Sequence, residues 1–252
     1  MNSERLERIV DRAHGEVDVQ YVGRGFKQSS LPMQNRCRPV MIGSSVGHHA
    51  ITAGSVGCFV TTAAGLRLMS NNHVLADEDR ARRGDPIVQP GPHDGGRVPS
   101  DVIGTLDTAV PLSTSQPNRF DAALAALEDD MPIDAAHVAG VGTLSAVADA
   151  SEVLDVAKVG RTTATTFGRI VAIDLDDAWF DYEIGPLRFD GIIQIAGDDG
   201  RFTAAGDSGS LVVSREDAPR AIGLHFAGYE NGTSVACPLP ELLAELGASL
   251  VS

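Results

Sequence analysis

The residues in this 252-residue chain most capable of chemistry gather around Gly206-Asp207-Ser208-Gly209-Ser210, which runs into the apolar stretch Leu211-Val212-Val213. Glycines let the backbone adopt positive φ and turn its N–H groups toward a ligand, which suits a nucleophile on a tight turn. A hydroxyl is a weak nucleophile at neutral pH, so the role requires a base within hydrogen-bond reach and a carboxylate to orient that base. His73, in Ser70-Asn71-Asn72-His73-Val74-Leu75-Ala76, supplies the candidate base. Asp121, in Arg119-Phe120-Asp121-Ala122-Ala123, supplies the candidate acid. Together the three perform attack on an electrophilic carbon, with the hydroxyl proton passing to imidazole. Asp121 has a second reading, as the cap of a helix over its alanine-rich run.

The elements that must position these groups are short and β-prone. Leu66–Ser70 alternates and breaks at two asparagines, delivering His73 where helix-forming residues begin. Runs at 40–43, 57–61 and 101–106, with an extended segment at 85–92 and Gly and Pro between them, predict a small antiparallel barrel. Residues 128–152 are acidic and alanine-rich and read as a crossing segment. Further strands are expected at 157–159, 168–174, 191–196, 210–214, 221–227 and 233–237. Leu239, Leu242, Leu243, Leu246 and Leu250 then have helical spacing and predict a closing helix over 238–252. At the other end, Leu6, Ile9, Val10 and Ala13 predict an amphipathic helix over 3–14, either packed on the body or serving as a docking or inhibitory segment. The stretch from Gly15 to Arg38 is polar and reads as a linker.

The order His, Asp, Ser, with steps of 48 and 87 positions, agrees with a known template whose steps are about 45 and 93. In its SNNHVLA, FDAALA and GDSGS stretches, and in KVGRTTATTFG at 158–168, the chain resembles the trypsin-like (chymotrypsin-fold) serine peptidases, bacterial members in particular. The likeness runs from about residue 38 to the end. It implies an all-β fold of two packed six-stranded antiparallel Greek-key barrels with a C-terminal helix, beside the N-terminal helical extension. The division expected is 1–37 for helix and linker, 38–130 for the first barrel and 131–252 for the second. It implies His73 as general base then acid, Asp121 as its orienting partner and Ser208 as nucleophile. The backbone N–H groups of Gly206 and Ser208 would form the oxyanion hole.

The same resemblance implies a Lys158–Asp207 ion pair that keeps the oxyanion hole formed without proteolytic activation; a solvated Lys158 is the alternative. It places the pocket for the residue before the scissile bond (P1) between the residues preceding Ser208 and the strand Gly223–Gly228. Trypsin carries an acid where Phe202 stands here, so an Arg or Lys preference is not implied. The Gly223–Gly228 strand with His225 resembles that of glutamyl endopeptidases and of picornavirus processing proteases, in which a histidine receives a Glu or Gln side chain, and Thr203 also matches the glutamyl endopeptidase pattern. A core histidine with a small apolar pocket at Ala227 is the other reading; Phe226 and Gly228 complete the wall.

With 20 basic against 34 acidic residues the formal charge is −14, which argues against nucleic acid or an anionic membrane as partner. Solubility accounts for it better than cationic substrates do. Neither a transmembrane run nor a secretion signal is evident. Cys37, Cys58 and Cys237 are odd in number and lack zinc or disulfide spacing, which fits a reducing cytoplasm. His48 and His49 read as exposed loop histidines, so no metal and no cofactor is expected. The partners expected are a protein or peptide substrate and a regulator acting at the N-terminal segment. A non-enzymatic alternative is a latent protease-like module that acts through a partner.

Overall fold

Alternating burial, glycine turns and β-branched residues give antiparallel ladders rather than helices over most of the chain. The computed structural model describes residues 32–252; the expected helix at 3–14 and most of the linker lie outside the described residues. The hairpin Cys58–Thr62 and Gly65–Ser70 shows the principle, with Phe59 and Val60 on one strand and Leu68 and Met69 on the other fully buried.

The first sheet runs in the order Ser249–Leu250, Cys58–Thr62, Gly65–Ser70, Ala123–Leu127, Val102–Ala109, Pro86–Val88, Ser45–His48, Gly54–Ser55. Strands 54–55 and 58–62 are two halves of one bent run, so the ring returns to itself through Val56 and Gly57. Val56 N donates to Ser44 O at 2.8 Å and Gly57 N to Met69 O at 3.0 Å, which ties the bend to both neighbours. In the second half Asp155–Gly160, Ala164–Leu175, Ile192–Gly197, Ser234–Pro238, Arg220–Gly228 and Leu211–Ser214 close into a six-stranded barrel, because 220–228 pairs with both 211–214 and 234–238. Ala146–Val147 joins its edge in parallel.

Several expectations are corrected. The alanine-rich run after Asp121 is a strand, so the helix-cap reading falls. The closing helix covers only Leu239–Glu245, after which Ser249–Leu250 crosses back to pair with Thr61 and Val60 of the first half. The end of the linker is packed: Met33 is buried, and Cys37 N donates to Gln89 Oε1 at 3.0 Å. A hairpin absent from the expected strands, Ala178–Tyr182 with Gly185–Phe189, forms a two-stranded sheet of its own. Its Phe180 and Phe189 pack edgewise, and both meet Phe226 of the second barrel. Among the described residues no helix is long and apolar enough to cross a membrane.

Candidate active site

Ser208 sits in the loop before Leu211–Ser214, on two successive turns closed by Asp207 N to Ala204 O (2.9 Å) and Ser210 N to Asp207 O (3.0 Å). Gly206 and Gly209 flank it at φ of 93° and 90°. A Cβ on Gly206 would stand 2.4 Å from Arg161 Nη1, and one on Gly209 would stand 2.1 Å from Ser70 Oγ. Both conformation and space therefore require glycine. The first half grips this turn directly: Ser55 N donates to Ser208 O at 2.7 Å and Ser55 Oγ to Gly206 O at 3.1 Å. Among the described residues the backbone N–H groups of Gly206 and Ser208 have no acceptor, so both remain available to a ligand.

His73 lies in the short helix Asn72–Leu75 that ends the strand Gly65–Ser70. Its Nδ1 is 2.5 Å from Asp121 Oδ2, and its backbone N donates to Asp121 Oδ1 at 3.2 Å. Asp121 is fully buried, and its Oδ2 also accepts a 2.6 Å bond from the Tyr182 hydroxyl. Burial alone would lower the His73 pKa, but the charge and hydrogen bond of Asp121 overcome it and raise it. Burial works against the Asp121 carboxylate as well, yet His73 and the Tyr182 hydroxyl hold its pKa below the usual range. His73, Gly206 and Ser208 line one cleft of about 690 Å³ together with Asp77, Glu78 and Glu183. Within the described residues Ser208 Oγ makes no hydrogen bond, and none joins it to His73.

Beneath the turn, Lys158 Nζ lies 3.3 Å from Asp207 Oδ2, both side chains fully buried; the solvated reading of Lys158 is therefore corrected. The ammonium also donates to Thr163 Oγ1 and, at 3.0 Å, to Ala164 O. Asp207 collects Thr162 N (2.8 Å), Thr163 N (3.1 Å), Thr163 Oγ1 (2.6 Å) and Ala204 N (2.9 Å). Burial would raise its pKa, and Lys158 with these donors lowers it instead. Burial lowers the Lys158 pKa against the opposing charge of Asp207.

Beyond Ser208 opens a pocket of about 380 Å³ lined by Thr203, Ala204, His225, Ala227, Gly228 and Ser234 among others. Two expected wall residues lie elsewhere. Phe202 is fully buried in a core cluster with Val212 and Ile222, and Phe226 lines a neighbouring pocket with Phe180, Tyr182 and Tyr229. His225 Nδ1 is 2.9 Å from Val235 O; a carbonyl only accepts, so Nδ1 carries the proton and Nε2 a lone pair. Burial pushes the His225 pKa down to about 4. Thr203 Oγ1 and Ser234 Oγ bond each other at 2.6 Å.

His48 is buried, not exposed, with Nε2 3.2 Å from Asp85 Oδ2. It can be grouped with His49 and Asp85 within 4.8 Å. Its Nδ1 already accepts Ala50 N at 3.3 Å, so both ring nitrogens are engaged and the trio is a poor metal site. Sequence reasoning missed Ser55, Tyr182 and the Thr162-Thr163 pair. The threonines stand inside the KVGRTT stretch, next to the lysine it did single out.

Residues 34–237 match the model of the Nal1 C-terminal domain. The chain belongs to the Nal1 C-terminal domain family. No curated protein matches it. Among solved structures, this chain is similar to the chymotrypsin of Cellulomonas bogoriensis, at 19% identity over 84% of this chain and 98% of that one, with a TM-score of 0.58. A Nocardiopsis protease gives 18% identity, 84% and 99% coverage and a TM-score of 0.60. A glutamic acid specific serine protease, described as using a histidine triad in substrate binding, gives 18%, 84% and 100%, and 0.59. The fold of this chain is thus the two-barrel chymotrypsin fold.

Proposed function

We propose that this chain is a serine endopeptidase acting through an acyl-enzyme. The observation that carries the reading is the buried Asp121 carboxylate holding His73 Nδ1 at 2.5 Å, on the cleft that Ser208 and Gly206 also line. In this scheme His73 Nε2 takes the Ser208 proton as Oγ attacks a peptide carbonyl. The N–H groups of Gly206 and Ser208 receive the developing oxyanion, and His73 returns the proton to the leaving amine. Water then repeats the sequence on the ester. Asp207, clamped by Lys158 and the Thr162-Thr163 amides, keeps the Gly206 N–H aimed at the cleft without a cleaved amino terminus.

At P1 the pocket favours an uncharged donor. His225 is neutral above about pH 4 and presents an acceptor nitrogen, which welcomes a Gln amide N–H and disfavours a carboxylate at that point, while Arg201 and Glu230 on the same lining carry opposite charges. Of the Glu and Gln preferences, Gln is therefore the one expected. A P1-diversified peptide library, run with wild type and Ser208→Ala, tests this: cleavage after Gln, absent in the variant, is the expected result. Cleavage after Ala or Val would reject the histidine pocket. The proposed setting is the cytoplasm, consistent with three free cysteines, Cys58 and Cys237 buried.

A second reading has its own observation. Ser208 Oγ and His73 share no hydrogen bond, which favours a latent module whose site closes when a partner docks. Catalytic bonds of this kind often tighten only around substrate, so the enzyme reading stands first.

A further inference from the structure

The third donor to the Asp121 side chain comes from neither barrel ladder. Tyr182 ends the strand Ala178–Tyr182 of the separate hairpin, and its hydroxyl meets the same Oδ2 that holds His73 Nδ1. Its ring stands edge-on to His73, with centroids 5.8 Å apart at 84°, and stacks against Phe189 of its own hairpin at 6.0 Å. The hairpin tip is tied to the loop after His73: Glu78 accepts Glu183 N at 3.2 Å and Ile184 N at 2.9 Å, and Arg80 pairs with Glu183 at 2.8 Å. The far strand is pinned by Asn118 N donating to Arg188 O at 2.8 Å.

We propose that Tyr182 is a positioning residue of the triad, holding Asp121 Oδ2 so that one oxygen fixes both the tautomer and the tilt of His73, and that Glu78 seats the hairpin that carries it. The inference rests on the endopeptidase reading for its kinetic consequences but not for its geometry. A buried carboxylate needs its lone pairs matched, and among the described residues Asp121 Oδ1 accepts only the His73 backbone N–H. Removing the hydroxyl leaves Oδ2 with the imidazole alone. That oxygen then pulls harder on the Nδ1 proton, stabilising imidazolium, while the ring is free to rock. The Tyr182 pKa is raised well above its usual value by burial and by Asp121, so the phenol remains a donor throughout the working pH range. The other titratable groups around the pair are Glu78, whose charge raises the His73 pKa, His225, and Cys237, whose Sγ accepts Asp121 N at 3.4 Å.

Tyr182→Phe keeps the ring and its packing and is the direct test. The expected result is a kcat lower by about tenfold with KM nearly unchanged, as for loss of one hydrogen bond to a charged group. The acidic limb of kcat/KM should move to higher pH. The low-field proton NMR signal of His73 Nδ1–H should shift, and the His73 titration should move upward with it. Should Tyr182→Phe fail to fold, 3-fluorotyrosine at position 182 carries the same test with the opposite sign: its more acidic hydroxyl donates more strongly to Asp121, so the His73 titration should move downward. An unchanged His73 titration and Nδ1–H signal in the folded variant overturn the proposal, as does an equal loss in kcat and binding without any pH shift. The NMR arm needs no turnover. A wild type that cleaves nothing would sink the endopeptidase reading and leave the Tyr182 assignment to be judged by the His73 titration.

Discussion

At the scale of single residues, His225 combines two demands in one ring. Its Nδ1–H satisfies a carbonyl of the adjacent strand, and burial holds it neutral. Its pKa is pushed from 6.5 to about 4 in the folded chain, so the unfolded chain binds the extra proton first. The stabilisation is fully present above pH 6.5 and is lost as pH falls toward 4. His73 has the opposite sign, its raised pKa giving stability that fades as pH rises above 6.5; below 6.5 His48, whose pKa burial also lowers, acts in the same sense as His225, and the paired carboxylates Asp94, Asp121 and Asp207 join at the acid end. Unfolding free energy from urea titrations should fall across that range, with His225 contributing on the order of 3 kcal/mol, and His225→Gln should make the fall shallower by about that amount. A slope unchanged by the substitution would contradict the neutral assignment. The meeting of His73 with Asp121 and of Lys158 with Asp207 was legible in the sequence, the first because the residue types suit a base and its orienting acid, the second because the KVGRTT and GDSGS stretches resemble family motifs. Tyr182 was not: a hydroxyl that acts by reaching another segment leaves no local pattern.

At the scale of elements, the Ser208 turn is held from below by a strand of its own barrel and from the side by the other half. Lys158 lies in Asp155–Gly160, and Asp207 bridges it to the turn. Breaking a buried ion pair by removing one partner costs about 3–5 kcal/mol, but Asp207 retains four other donors and Met matches the lysine stem in volume. Lys158→Met should therefore stay folded at 25 °C, with a loss near the low end of that range, while its kcat drops by at least about tenfold as the Gly206 N–H loses its fixed direction. Full activity in a folded variant would show that the pair is only structural. Most strands were legible from alternation and glycine turns, to within a few residues at their ends. The hairpin Ala178–Phe189 was not, because its outer face is exposed and its partner is a neighbouring aromatic cluster. The helix ending at Glu245 was overextended because Leu246 and Leu250 keep helical spacing while serving a turn and a strand.

At the scale of the whole molecule, the site exists only where two halves meet, so anything joining them supports it. Arg161 and Asp94 form a buried pair across that seam, with Nη2 to Oδ1 at 2.6 Å, and Ser55 reaches the Ser208 turn from the first half. The C-terminal strand adds a tether, with Ser249 opposite Thr61, Leu250 opposite Val60 and Val251 N donating to Phe59 O at 2.9 Å. Removing residues 249–252 should lower the melting temperature by several degrees and reduce activity in parallel; an unchanged melt would mean the tether contributes nothing. No sequence pattern announced this return crossing, since a two-residue edge strand has too little periodicity to read. The central claim is that His73, Asp121 and Ser208 act as one unit, and covalent labelling tests it most directly. With a fluorophosphonate probe and mass mapping, the account predicts a single adduct on Ser208, absent in Ser208→Ala and slowed by orders of magnitude in His73→Ala and Asp121→Asn. No adduct on the wild type, or one whose rate ignores His73 and Asp121, would contradict it.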